Sequence, residues 1–297
     1  MALTDKLTAI GNAIRSKTGD TGLLSLDAMP EAIGGIATGF PNGREWTWSN
    51  ITSGIYSIVH NNGIWIAYST DSAMDTTSGI CYSLNGKEWT QSNITSGGYN
   101  SVAYNNGVWV ACSGSHTASG IYYSLDGKEW IQSNITSGYY SSFTNANGIW
   151  VAGCIGSSTN SGMYYSLDGK EWIQSNITSG CYNSIAYNNG IWIAGGQNNS
   201  GIYYSLNGKE WTQSNITSEN YGLFTHANGI WIACTMTNGS STADGMYYSL
   251  DGKEWTKSNN RKGSNYSFAN ANGIWVTNGG SGRSKGIYYS VTWEPSI

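Results

Sequence analysis

The sequence predicts an all-β fold of the β-propeller class, because one short motif recurs about every forty residues and each repeat divides into four short strands. The motif is Tyr-Ser-Leu-Asp-Gly-Lys-Glu-Trp or a near copy, and its tryptophan marks the period. Such a period is typical of architectures in which every repeat is one supersecondary unit. The marker residues are Trp46, Trp89, Trp130, Trp172, Trp211 and Trp255, with a vestige at Trp293.

The repeat that follows Trp172 illustrates how its strands are predicted. Large and small side chains alternate along each segment, which is the period of two expected for a strand. Asn-Gly pairs separate the segments at Asn189-Gly190 and Asn207-Gly208, and they supply the positive φ angles of tight hairpin turns. The predicted strands are 182–187, 191–194, 202–205 and 210–214.

The two ends of the repeat region predict how the ring of sheets closes. The last repeat has lost its turn, because segment 287–290 runs directly into Val291-Thr292-Trp293. Segment 44–49 has the pattern of a fourth strand with no sheet before it. Pairing these ends would remove an open sheet edge. We therefore expect a six-bladed β-propeller of four-stranded blades over residues 40–297, closed by the N-terminal strand.

Residues 1–39 do not belong to the repeat and predict a small helical segment. Leu3, Leu7, Ile10 and Ile14 have the spacing of a heptad seam, and a second short helix is expected around Pro30. A segment of this length can barely support a core of its own. We expect it to serve oligomerisation or attachment to a partner; the alternative is an amphipathic helix folded back on the propeller.

Composition limits the classes of partner. The formal net charge of −4 and a pI near 5.3 give no footprint for nucleic acid. No apolar run is long enough for a membrane span, and the N-terminus does not have the pattern of a signal peptide. Five cysteines, an odd count, indicate reduced thiols and synthesis in a bacterial cytoplasm.

The segment Ser124-Leu125-Asp126-Gly127-Lys128-Glu129-Trp130 resembles the Asp-box of sialidase-type propellers. The resemblance implies that the Ser, Asp, Gly and Trp close the hairpin between third and fourth strands. This chain departs from the family pattern by lacking a residue between Asp and Gly, and it has Asn85 and Asn207 in two of the repeats. An Asn oxygen can also cap turn amides. The motif therefore implies a structural role and little about chemistry.

Residues 1–39 resemble a segment at the start of phage and prophage tail proteins of Gram-positive bacteria. The residues that carry this resemblance are Leu7-Thr8-Ala9-Ile10, Lys17-Thr18-Gly19 and the segment 29–36. The resemblance implies a virion or tailocin location, attachment to other tail proteins through residues 1–39, and release from the host by lysis. Analogy with phage fibres suggests a homotrimer.

Comparison of the repeats indicates which face binds a partner. The hairpin turns hardly change, whereas the loops between second and third strands vary in length and content, and binding usually resides in such loops. A collar of tyrosines near the channel mouth could stack on sugar rings; the alternative is that they pack between neighbouring blades. The candidate ligand-binding residues are Tyr99, Tyr140, Tyr182, Tyr221, His116, Gln197, Asn198 and Asn238.

Catalysis is not expected. A sialidase-like site needs an arginine cluster, and only Arg261 and Arg283 lie in the repeats beyond the early turn. No pair of carboxylates flanks a cleft, as a glycosidase requires. The three histidines lie in different blades, and Asp71 with Asp75 is a weak signal for calcium, so we expect neither a metal nor a cofactor.

The sequence therefore favours a non-catalytic, carbohydrate-binding propeller of a phage tail or tailocin that recognises a bacterial surface glycan or cell-wall polysaccharide. The main alternative is a structural protein-docking hub or baseplate component. A sialidase-like glycoside hydrolase is the least favoured of the three hypotheses.

Overall fold

The computed structural model describes residues 46–51, 56–70, 79–113, 120–155, 161–197, 200–235, 245–259, 265–279 and 286–290, together with Asn12 and Gly54. The chain divides into two compact units, Met1–Ser49 and Asn50–Ile297. The helices predicted for residues 1–39 and the boundary predicted at residue 40 lie outside the described residues, apart from Asn12.

The described part of the second unit forms six antiparallel sheets in which consecutive strands pair. The first sheet contains β1 (Tyr56–Asn61), β2 (Ile64–Ser69), β3 (Ile80–Ser83) and β4 (Thr90–Gln91). The second contains β5 (Tyr99–Asn105), β6 (Val108–Ser113), β7 (Ile121–Ser124) and β8 (Ile131–Gln132). The third contains β9 (Tyr139–Ala146), β10 (Ile149–Ile155), β11 (Met163–Ser166) and β12 (Ile173–Gln174).

The remaining sheets follow the same order. The fourth contains β13 (Cys181–Asn188), β14 (Ile191–Gln197), β15 (Ile202–Ser205) and β16 (Thr212–Gln213). The fifth contains β17 (Tyr221–Ala227), β18 (Ile230–Thr235), β19 (Met246–Ser249) and β20 (Thr256–Lys257). The sixth contains β21 (Asn265–Ala271), β22 (Ile274–Gly279) and β23 (Gly286–Tyr289).

Successive sheets pack face to face, and their first strands contact one another in the order β1, β5, β9, β13, β17 and β21. Four buried clusters each combine residues of two consecutive sheets. In one of them Tyr99 and Trp109 of the second sheet pack against Ile66 and Ile80 of the first. This is the repeated-sheet architecture of β-propellers, as the sequence predicts.

The last sheet differs from the prediction. Five sheets have four strands, but the sixth has three within the described residues. The predicted closing strand is not formed over residues 46–49, where Trp46 and Trp48 are 88% and 84% exposed. The structure thus contains the expected sheets without showing closure of the ring.

The first hairpin of every sheet has the predicted tight turn. Two residues, Asn and Gly, connect the paired strands in all six sheets. The asparagines have φ angles between 47° and 52°, and the glycines that follow them have φ angles between 74° and 85°. Asparagine tolerates this left-handed region better than most residues, which explains its use at every hairpin. The asparagines are Asn62, Asn106, Asn147, Asn189, Asn228 and Asn272.

The five cysteines are buried and form no disulfide, as expected for reduced thiols. Burial raises the pKa of the Cys112 thiol well above its ordinary value. The part of the chain that the structure describes contains no helix long and apolar enough to cross a bilayer.

Candidate functional site

The turn between third and fourth strands is closed by two side-chain oxygens. Ser124 Oγ accepts a hydrogen bond from the N–H of Gly127 at 2.8 Å. Asp126 Oδ1 accepts from the N–H groups of Lys128 and Glu129, each at 2.9 Å. The Ser124 hydroxyl lies 3.1 Å from Asp126 Oδ1. The turn therefore satisfies its own backbone amides.

Asparagine supports the same turn without a charge. Asn85 Oδ1 accepts from the N–H groups of Lys87 and Glu88 at 2.9 Å, and Asn207 makes the equivalent bonds at the same distances. The expectation that this position acts through an oxygen, independently of ionisation, is confirmed.

Where the residue is aspartate, the turn favours its ionised form. Partial burial opposes ionisation of Asp126, but hydrogen bonds from the N–H groups of Glu129 and Lys128 and from the Ser124 hydroxyl outweigh it. The pKa of this carboxyl consequently lies below its ordinary value of 3.8. Asp168 and Asp251 have lowered pKa values for the same reasons.

A second recurring contact joins neighbouring repeats, and the sequence did not reveal it. Asn134 follows β8, and its Nδ2 donates to the carbonyl oxygen of Trp172 at 2.9 Å while its Oδ1 accepts from the Trp172 N–H at 2.9 Å. We call this pair of bonds the asparagine clamp. The five clamps are Asn50–Trp89, Asn93–Trp130, Asn134–Trp172, Asn176–Trp211 and Asn215–Trp255.

The clamp gives the Asn-Ile-Thr tripeptides a structural role. Both the oxygen and the nitrogen of the side-chain amide hydrogen-bond to the tryptophan backbone of the next repeat. The signal in the sequence was the recurrence of an asparagine 35 to 40 residues before each of these motif tryptophans.

Lysines of the motif add another contact between sheets. The ammonium of Lys128 lies 5.7 Å from the ring centre of Tyr82 in the preceding sheet. Lys253 lies 5.8 Å from the ring centre of Tyr204 in the same way. Such cation–π contacts stabilise the interface at exposed positions by about 0.5–1 kcal/mol each.

The variable loops leave the sheets beside the connections that lead from one sheet to the next; we call this end the loop face. Backbone bonds hold the two together, since the N–H of Gly120 donates to Gly138 O at 3.0 Å and that of Gly162 to Gly180 O at 2.9 Å. The loops contain between four and ten residues, whereas every first hairpin turn contains two. The hairpin and motif turns form the opposite end, the turn face.

The four tyrosines predicted to line the channel mouth are not available to a ligand in this structure. Tyr99, Tyr140, Tyr182 and Tyr221 are at most 2% exposed. Each ring makes an edge-to-face contact with a third-strand tyrosine, with centroids 5.6–6.0 Å apart. The first strand of each sheet directs these rings into the interface with the neighbouring sheet. The four tyrosines therefore pack between blades, which is the alternative that the sequence analysis gave.

The strand register explains why Tyr56 and Tyr266, the corresponding tyrosines of the first and sixth sheets, lie one position away from the other four in the sequence. Tyr56 pairs with Ser69 and Tyr99 pairs with Ser113, so the two tyrosines occupy equivalent positions. The first sheet lacks the β-bulge of the other sheets, so its first strand has one residue fewer between this tyrosine and the hairpin turn. In the sixth sheet a bulge between Asn265 and Ser267 places Asn265 opposite Gly279, in the position equivalent to Tyr99.

Of the candidate residues in the loops, the structure describes Gln197. It is the last residue of β14 and is half-buried, and its carbonyl oxygen accepts from the Ser200 hydroxyl at 2.6 Å. It therefore lies at the loop face, and its contact with a ligand stays a prediction. His116, Asn198 and Asn238 lie outside the described residues.

Two of the histidines considered for catalysis pack on tryptophan rings near the turn face. The ring centroids lie 4.4 Å apart for His60 and Trp65, and 4.8 Å apart for His226 and Trp231. Burial lowers the pKa of His226. No group of His, Cys, Asp or Glu in the described ranges has the arrangement of a metal site, and Asp71, Asp75, Arg261 and Arg283 lie outside them.

Solved structures that are similar to this fold include two with TM-scores above 0.5. The computationally designed Ika8 protein matches with a TM-score of 0.54 at 10% identity, over 75% of this chain and 67% of that one. The extracellular domain of BT4673 from B. thetaiotaomicron, described as a one-component system, matches with a TM-score of 0.53 at 9% identity. That match covers 84% of this chain but 35% of the other. At these identities the likeness concerns the fold alone.

No protein-family model matches the chain, and a search of curated proteins found no match.

Proposed function

We propose that the protein is a non-catalytic, six-bladed propeller that binds carbohydrate on a bacterial surface through its loop face. The observation that carries the proposal is the contrast between its two ends. The turn face repeats the same bonds in sheet after sheet, whereas the loops opposite differ in length and content. Variable loops on a rigid frame are the usual location of a binding site.

The proposal includes closure of the ring by segment 44–49. Asn93 and Asn134 each lie two residues beyond the fourth strand of one sheet and clamp the tryptophan of the next. Asn50 makes the same clamp on Trp89, with both bonds at 2.7 Å. From this equivalence we infer that the residues just before Asn50 act as the fourth strand of the sheet preceding the first, which in a closed ring is the sixth.

The chemistry of the loops suits sugars better than charged ligands. Only 11% of the residues are charged, and the loop segments are rich in Asn, Ser and Thr, whose side chains hydrogen-bond to hydroxyl groups. Because the tyrosine rings are buried, we assign recognition to the loop residues His116, Gln197, Asn198 and Asn238. Weak sites repeated over several sheets and subunits would gain affinity through avidity.

The setting in a phage tail or tailocin depends on the resemblance of residues 1–39. In that setting this segment attaches the propeller to other tail proteins and brings several copies together. The particle is assembled in the bacterial cytoplasm and released by lysis.

A structural docking hub is the second candidate, and one observation favours it. The leucine of the motif is 58–68% exposed at the turn face in five sheets. Its side chain takes no part in the hydrogen bonds that close the turn. Exposed apolar side chains repeated on one face are a feature of protein–protein contacts. These residues are Leu84, Leu125, Leu167, Leu206 and Leu250.

A glycan array that includes Gram-positive cell-wall polysaccharides tests the proposal. We expect binding by the full chain, loss of binding when residues 236–244 or 198–199 are replaced by Gly-Ser linkers of equal length, and retention when Leu125 and Leu167 become Ser. No sugar product should be released. A blank array from folded, oligomeric protein would overturn carbohydrate binding. Capture of another tail protein that the two leucine substitutions abolish would then establish the hub.

A further inference from the structure

We propose that the Asn-Gly pairs of the first hairpins are sites of spontaneous deamidation, whereas the Asn-Gly pairs of the motif turns are protected by their hydrogen bonds. Both kinds of pair occur in the same sheets, so the chain contains its own control. The inference does not depend on what the loop face binds.

The reaction requires only water. The backbone nitrogen of the glycine loses its proton and attacks Cγ of the asparagine, forming a five-membered succinimide. The bond from Cγ to the side-chain nitrogen breaks, and ammonia leaves with that proton. Water then opens the ring to aspartate or isoaspartate. Glycine permits the ring closure because it has no side chain to obstruct it.

The hairpin turns leave the attacking nitrogen accessible. Asn105 pairs with Val108, so Gly107 between them is outside the ladder of backbone bonds, and it is exposed. A Cβ built on Gly107 would meet no atom within 4 Å. The same open space surrounds Gly63, Gly190, Gly229 and Gly273.

The motif turns hold both reacting groups. The N–H of Gly86 donates to Ser83 Oγ at 2.9 Å, and Asn85 Oδ1 accepts from two backbone N–H groups. The ring can close only after these bonds break. In the fourth sheet the N–H of Gly208 likewise donates to Ser205 Oγ at 2.9 Å, and this glycine is buried. Three equivalent motif turns contain aspartate, so the fold tolerates aspartate, one product of the reaction, at this position. The motif asparagines are therefore protected because ring closure is slow, and not because the product would be unstable.

Side-chain contacts rank the six hairpins. Asn147 Nδ2 donates to the Tyr187 hydroxyl, and Asn228 Nδ2 donates to Asn270 Oδ1 at 3.4 Å. Among the residues that the structure describes, none accepts such a bond from the other four hairpin asparagines. Asn62, Asn106, Asn189 and Asn272 should therefore convert first. Each conversion adds one negative charge to the turn face and lowers the formal net charge of −4.

The test is peptide mapping by mass spectrometry of full-length protein aged at mildly alkaline pH, with released ammonia measured in parallel. We expect conversion at those four residues at least about tenfold faster than at Asn85 and Asn207, the factor given by a barrier difference of about 1.4 kcal/mol. Unfolding in guanidinium should equalise all the sites. Equal rates in the folded protein, or faster conversion of Asn85, would overturn the proposal.

A variant isolates the protecting bond. Ser83→Ala removes the acceptor for the Gly86 N–H and should make Asn85 labile, while Asn207 in its unaltered turn stays intact. Stability measured alongside shows whether the turn is still folded. If Asn85 of folded Ser83→Ala protein remains as slow as Asn207, hydrogen bonding is not the cause of protection.

Discussion

Asn134 and Trp172 belong to consecutive sheets, and the side-chain amide of the asparagine hydrogen-bonds to both backbone polar groups of the tryptophan. The amide thus replaces one rung of a β-ladder at a place where no strand reaches. Asn93, Asn176 and Asn215 do the same between other consecutive sheets, and Asn50 makes the same pair of bonds to Trp89. The contact explains how outer strands of only two residues remain attached to the neighbouring sheet.

Asn134→Ala should lower the free energy of unfolding by about 1–3 kcal/mol, because the change leaves a backbone N–H and a C=O of Trp172 without partners. Urea denaturation measures the effect. Thr212→Ala on an exposed outer strand is the control and should change stability by less than about 0.5 kcal/mol. Equal stabilities of the two variants would show that the clamp contributes nothing.

The lowered pKa values of the motif aspartates predict acid sensitivity. Their folded pKa lies below the ordinary 3.8, so their contribution is fully present above that value and is lost as pH falls through the folded pKa. Replacing Asp126, Asp168 and Asp251 by Asn, the residue in two sister turns, should remove this part of the loss. Urea midpoints at pH 7 and pH 3 provide the measurement. An unchanged drop in the triple variant would place the acid sensitivity elsewhere.

The buried cysteines should not react with a thiol reagent in the folded protein. Burial raises the pKa of Cys112 and removes it from contact with the reagent, and Cys81, Cys154, Cys181 and Cys234 are buried too. We expect no colour with Ellman's reagent in native buffer and five equivalents in guanidinium. Fewer than five equivalents in guanidinium would indicate a disulfide, and rapid native reaction would contradict the burial.

Substitutions of Tyr140 distinguish a role in packing from a role in ligand binding. Its hydroxyl is buried without a hydrogen-bond partner among the described residues, so Tyr140→Phe should leave stability unchanged or slightly raised. Tyr140→Ala should cost about 3–5 kcal/mol through the cavity it leaves. The hydroxyl of Tyr182 lies beside Ser200 and Tyr203, so Tyr182→Phe should lower stability by up to about 1 kcal/mol. If Tyr140→Phe remained stable but lost glycan binding, the ring would contact the ligand and the packing assignment would be wrong.

The turns and strands could be predicted from sequence because their causes are local. Asn189-Gly190 specifies its own hairpin, and Ser124 with Asp126 closes a turn within six residues. The clamp on Trp172 and the burial of Tyr140 depend on contacts between residues of different repeats. Alternation alone does not say whether a strand residue faces the channel or the next sheet. A bulge in five of the six first strands shifts that register by one residue.

Among the described residues of the connections between sheets, Glu219 is the one with a positive φ that is not glycine. Its φ is 79°, where the equivalent Gly97, Gly138 and Gly180 have φ of 93–99°, and a side chain is costly in this region. Glu219→Gly should therefore raise the free energy of unfolding by about 1 kcal/mol, since the relief of strain exceeds the entropy cost of glycine. Glu210→Gly at an exposed turn position is the control and should be destabilising. If thermal denaturation showed Glu219→Gly to be the less stable protein, the carboxylate would have to stabilise the connection through a contact that outweighs its strained backbone. A binding assay on the same variant would then show whether that contact serves the loop face, where the N–H of Gly201 donates to the Glu219 carbonyl oxygen at 3.2 Å.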